Sequence, residues 1–122
     1  MPTVRDQLAH VLALPGVRAA VLAGRDGLTI DAAGRGDQRF FDSLGALGAS
    51  ALGTTEALGH ELGSGAAVGA ILEYESALIS VDPMGPYAVL VTLAESAASL
   101  GRIRHTITSL RADLLRALDA EQ

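Results

Sequence analysis

Val17-Arg18-Ala19-Ala20-Val21-Leu22-Ala23, then Gly24-Arg25-Asp26-Gly27, then Leu28-Thr29-Ile30-Asp31-Ala32, reads as two short strands joined by an Asp-Gly turn. Pro15-Gly16 precedes this hairpin and Gly34-Arg35-Gly36-Asp37 follows it, so both ends are punctuated by residues that break regular structure. The hairpin fixes an antiparallel pair early in the chain, and the remaining elements have to be arranged around it.

Upstream, Thr3 to Leu14 places Val4, Leu8, Val11 and Leu12 at helical spacing, with Thr3 as N-cap and Asp6 three residues on in a capping-box position. Downstream, Asp37 can cap a helix whose body runs from Phe40 to Leu62. On a wheel of about 100° per residue, Phe40, Leu44, Leu47, Ala51, Leu58 and Leu62 form one stripe. Phe41, Gly45, Gly48, Leu52 and Gly59 form a second beside it. Ser43, Ala46, Ala49, Ser50, Gly53, Thr54 and Ala57 are left for the outer side.

Gly63-Ser64-Gly65 ends that helix, and three strand-like runs follow: Ala66 to Tyr74, Ser76 to Asp82 and Tyr87 to Leu93. Their connections are too short for anything but antiparallel neighbours. From Ser99 to Ala120, Leu100, Ile103, Ile107, Leu110, Leu114 and Leu118 share a narrow arc of a closing amphipathic helix. The order αββαβββα predicts an α+β fold, a five-stranded antiparallel sheet covered by helices, in one domain spanning residues 1–122.

The chain has 122 residues, 49% of them apolar but only 3% aromatic, so its core is built from Ala, Val, Leu and Ile. A base-stacking platform for nucleic acid is therefore not expected. Nine basic residues, all Arg, stand against fourteen acidic ones for a net charge of −5, which argues against phosphate backbones and anionic membranes as partners. Without Cys there is no disulfide, thiolate metal site or Cys nucleophile. No run approaches 18 apolar residues and no basic segment leads into an apolar one, which predicts a cytoplasmic chain.

Chemistry-bearing motifs are missing. His10, His60 and His105 fall on different helices without metal-ligand spacing, so no metal is expected. A phosphate loop of the GxxxxGK[ST] type needs a Lys the chain lacks, no GxGxxG opens a helix, and no serine stands in a GxSxG elbow. Glu73 and Glu75 flank Tyr74 at a strand turn, an exposed place for an acid-base pair. Arg102, Arg104, Arg111 and Arg116 share the last helix with Asp113, Asp119 and Glu121 and read as a solvated face. The chain is not expected to be an enzyme or to hold a cofactor.

The second helix is the exception to this blandness. Its only charges between Phe40 and Leu62 are Asp42, Glu56 and Glu61, and its interior glycines each cost about 1 kcal/mol relative to Ala. Close approach of another helix would account for them, and a small, weakly charged surface is cheap to desolvate. That predicts self-association or a protein partner.

Leu14-Pro15-Gly16-Val17-Arg18-Ala19-Ala20-Val21-Leu22, Arg25-Asp26-Gly27-Leu28, the αββαβββα order and the closing Ser99-Leu100-Gly101-Arg102-Ile103-Arg104 together resemble the Roadblock/dynein light chain domain, over roughly residues 3 to 118. The resemblance implies a profilin-like sheet with the second helix on one face and the first and third on the other. It also implies a dimer in which third strands pair edge to edge and second helices pack together. On that basis Phe41, Gly45, Gly48, Leu52, Val68 and Ile71 are expected at the dimer interface.

The resemblance further implies a platform for a small Ras-like GTPase, as in the bacterial gliding-motility type, which activates its GTPase without inserting an arginine finger. Arg39, Asp42, Glu56, His60 and Glu61 are the expected GTPase-facing residues. The alternative is a scaffold in a bacterial signalling or motility complex that does not touch a GTPase.

Overall fold

The computed structural model describes residues 2–121. Its elements follow the expected order: α1 (Val4–Leu12), β1 (Val17–Gly24), β2 (Thr29–Gly34), α2 (Gln38–Leu62), β3 (Ala70–Glu73), β4 (Ala77–Met84), β5 (Ala88–Glu95) and α3 (Leu100–Ala120). The five strands form one antiparallel sheet in the order β2-β1-β5-β4-β3. The first and last hairpins thus meet at β1 and β5 in the middle, and β2 and β3 become the edges.

Local sequence sets the helix ends. Thr3 Oγ1 accepts from the Asp6 backbone N–H at 3.1 Å while the Asp6 carboxylate accepts from Thr3 N–H at 2.8 Å, closing the capping box of α1. The Asp37 carboxylate accepts from Phe40 N–H at 2.8 Å, and Gly63 stops α2 in the left-handed region at φ 63°. The Glu121 carboxylate accepts from Val4 N–H at 2.8 Å, tying the end of α3 to the start of α1.

Because side chains alternate across each strand, the sheet has two apolar faces. Under α1 and α3, Leu22, Leu90 and Met84 meet Leu8, Val11, Ile103, Ile107 and Leu114. Under α2, Val21, Val81, Val89 and Val91 meet Leu44, Ala49 and Leu52. The sheet with α2 on one face and α1 and α3 on the other is the architecture expected from sequence.

One boundary needs correction. The strand read from Ala66 begins only at Ala70. The chain enters β3 through Gly65 at φ 85° and Gly69 at φ 154°, and a Cβ on Gly69 would lie 3.1 Å from both the Val81 carbonyl oxygen and Asp82 Oδ1. Apolar residues at Ala66, Ala67 and Val68 mimic a strand in composition, but the glycines bend the chain where a ladder would have to continue.

Candidate functional site

The face that α2 turns to the sheet is the glycine stripe, joined by Leu44 from the leucine stripe. A Cβ on Gly45 would stand 3.1 Å from Ala23 Cβ, and one on Gly48 would overlap the γ-methyls of Val91. Leu52 is fully buried among the same residues, and Phe41 packs half-buried against them. Gly45, Gly48 and Leu52, expected at a contact with a partner's helix, are therefore used inside the chain. The glycines allow close approach, as anticipated, but what approaches is the chain's own sheet. Ala49, assigned to the outer side, is buried as well.

This rotation pushes the remaining leucines of the other stripe outward. Leu47 is 70% exposed, Leu58 60% and Leu62 75%, with Phe40 at 40%. They form a ridge along α2, and beside it the cross-strand row Leu72, Ile79 and Leu93 is only half covered. Val68, at 75% exposure, precedes β3 rather than lying on it. Ile71 is on β3, opposite Ser80, and points to the sheet face away from α2. Unpaired edge and uncovered apolar ridge thus adjoin each other.

The other flank of α2 carries acid held in place. Asp42 accepts from Thr29 Oγ1 at 2.7 Å and from Gln38 Nε2 at 2.8 Å, and those two hydrogen bonds lower its pKa below the usual aspartate value. Glu56 takes a hydrogen bond of 2.7 Å from Arg25 Nη1. Arg25 also donates from Nε to the Ala88 carbonyl at 3.1 Å and from Nη2 to the Gly85 carbonyl at 3.0 Å. One guanidinium group therefore clamps both hairpin turns to the helix. At about 100° per residue Asp42, Glu56 and His60 share this flank, while Arg39 and Glu61 project further outward and are exposed. Glu56 and His60 also line a shallow cleft of about 400 Å³ with Gly59, Gly63, Gly65, Ala66 and Ala67.

Arg25 was not singled out in the sequence. Its partners are carbonyl oxygens 60 and 63 residues away, and a residue within an Asp-Gly turn carries no mark of such a role.

On the opposite face, the last helix's arginines divide. Arg116 pairs with Asp113, as a solvated face would have it. Arg104 and Arg111 instead turn toward Asp82, which is only 1% exposed. Ser80 Oγ donates to Asp82 Oδ2 at 2.6 Å and Arg104 Nη1 stands 3.6 Å from Oδ1. Burial nevertheless pushes the Asp82 carboxyl above the usual aspartate range, the serine bond and the arginines opposing it.

Among the described residues no group of three or more His, Asp or Glu is placed to hold a metal ion, and no helix is long and apolar enough to cross a membrane. A cleft of about 430 Å³ where α1 and β5 meet α3 includes Glu95, Ser99 and Arg102, but Ser99 Oγ is engaged by the Arg102 N–H as the cap of α3.

Residues 3–94 match the family model described as the Roadblock/LC7 domain. The fold is similar to a Roadblock/LC7 domain from Streptomyces avermitilis, at 24% identity over 90% of this chain and 92% of that one with a TM-score of 0.84. It is also similar to Myxococcus xanthus MglB, at 19% identity over 96% and 95% of the two chains with a TM-score of 0.86. A third likeness is to the gliding protein mglB of Thermus thermophilus, at 24% identity over 96% and 89% with a TM-score of 0.84. No curated protein sequence matches this chain.

Proposed function

This chain belongs to the Roadblock/LC7 domain family, and from that premise we propose that it is a non-enzymatic cytoplasmic homodimer, each copy a single domain, that binds a small Ras-like GTPase and modulates its GTP cycle. The observation that carries the reading is the uncovered ridge of Leu47, Leu58 and Leu62 beside the unpaired edge of β3. Apolar surface next to a free strand edge is an aggregation hazard in a monomer. A second copy related by a two-fold axis covers both features at once, because the same patch meets itself.

In this dimer the interface is made by Leu47, Leu58, Leu62 and Val68 with the β3 backbone. Phe41, Gly45, Gly48 and Leu52 support it from below by setting the rotation of α2. The GTPase surface is the acidic flank of Asp42, Glu56 and His60, with Arg39 and Glu61 at its border. Asp42 and Glu56 are already fixed by Thr29, Gln38 and Arg25, so a partner presenting Lys or Arg meets oriented carboxylates. The GTPase as partner class follows from the resemblance to the gliding-motility type of this family, and the likeness of the fold to MglB is consistent with it.

The test is to mix the purified protein with the Ras-like GTPase encoded nearest to it and follow association by light scattering, loaded with GDP or a GTP analogue. A complex in at least one state is expected. No association in either would refute the GTPase reading, and a free protein of single-chain mass would refute the dimer.

A further inference from the structure

The β3 edge has a charge arrangement that selects how two copies pair. Ile71 and Glu73 share the sheet face that carries α3, because side chains alternate along a strand and Ile71 is opposite Ser80. Ala70 and Leu72 share the α2 face. In an antiparallel pair, directly opposed residues point to the same side, so a two-fold axis through paired β3 strands must pass through one residue rather than between two. For a strand as short as Ala70–Glu73, the axis falls at Ile71 or at Leu72.

Each choice has a different consequence for Glu73. With the axis at Leu72, Glu73 lies opposite Ile71 of the second copy and an exposed carboxylate is pressed beside an isoleucine. With the axis at Ile71, Glu73 lies opposite Gly69 of the second copy. Gly69 has no side chain, and the place its Cβ would take is 3.1 Å from Asp82 Oδ1 and from the Val81 carbonyl oxygen and 3.4 Å from Arg104 Nη1. Arg104 is 37% exposed at its side chain and stands 3.6 Å from Asp82, beyond hydrogen-bond range. Arg111 faces the same carboxylate, so two guanidinium groups share one buried acid. Arg111 Nε is buried and without a hydrogen-bond partner.

We propose that β3 strands pair about Ile71, with Glu73 of each copy seated over Gly69 of the other and ion-paired to that copy's Arg104, twice per dimer. The inference rests on the dimer proposed above and adds its register and its charge code. Gly69 then has two tasks: it bends the chain into β3 and it leaves the seat for an incoming carboxylate. Arg104 lies beyond the segment that matches the family model, so this pairing depends on α3 of this particular chain.

The absence of Cys makes the register directly measurable. In the Ile71→Cys variant the two thiols face each other on the axis, with Cα atoms about 4.5–5.5 Å apart, within disulfide reach. In Leu72→Cys they are offset by two residues along the strands, about 8 Å apart and out of reach. Mild oxidation should therefore cross-link Ile71→Cys and leave Leu72→Cys free. The charge code is read by Glu73→Arg, which places like charges together and should weaken dimerisation at least tenfold at low salt, with recovery at high salt. Asp119→Arg, at the far end of α3, should leave it unchanged. Preferential cross-linking of Leu72→Cys, or a dimer indifferent to Glu73→Arg, would overturn the pairing while leaving the dimer standing. A wild-type protein of single-chain mass would instead overturn the dimer itself.

Discussion

Gly48 lies against Val91 so closely that no side chain fits between α2 and the middle of the sheet. The helix is thereby rotated until Leu47, Leu58 and Leu62 face outward. Gly48→Ala should cost about 1–3 kcal/mol of stability, the usual penalty of overfilling a packed site. Gly53 has nothing within 4 Å of its Cβ position, so Gly53→Ala in the same helix should stabilise by about 1 kcal/mol through propensity. Urea midpoints check both; a harmless Gly48→Ala would mean that the helix can lift off the sheet.

Leu47 and Leu58 are exposed in a single chain, and replacing both by Asp should leave the fold intact while separating the copies. Sedimentation should fall from twice the 12.5 kDa chain to one chain, with unchanged helical circular dichroism. A variant that keeps the double mass would place the interface elsewhere.

The Arg25 clamp joins Gly85, Ala88 and Glu56 through one planar group. Arg25→Ala should destabilise by about 1–3 kcal/mol, since charged hydrogen bonds to partly buried partners are lost. Lys cannot reach three acceptors in that geometry, so Arg25→Lys should recover less than half of the loss. Full recovery by Lys would reduce the clamp to a point charge.

Asp82 should make stability depend on pH in the direction opposite to the other shifted acids. Its raised pKa means that the folded chain holds this proton more tightly than the unfolded one. The stability it contributes is complete below the ordinary carboxylate value of about 4 and is lost as pH rises through the raised value. Asp6 and Asp42, whose pKa values are lowered, contribute stability above that range and lose it in acid. Asp82→Asn should therefore gain on the wild type as pH rises from 4 to 7. Parallel stability curves for the two proteins would contradict this.

Most of the fold is written in local signals: the Asp26-Gly27 turn, the caps at Thr3, Asp37 and Ser99, and the stop at Gly63. The orientation of α2 is not, because two stripes lie side by side on the wheel and hydropathy favours the one with leucines. Only the closeness of Val91 decides for the glycines, and that is a long-range fact. Arg104 and Arg111 misled for a similar reason. Their spacing suits a solvated face, and Asp82 reveals its claim on them only when β4 is placed beneath α3.

GTP hydrolysis by the neighbouring Ras-like GTPase, measured against increasing amounts of this protein, tests the proposed function most directly. Turnover should change and then saturate as the protein is added, and Asp42→Arg combined with Glu61→Arg should abolish the effect without altering the dimer. Turnover that stays flat at every ratio, with no complex formed, would contradict the account.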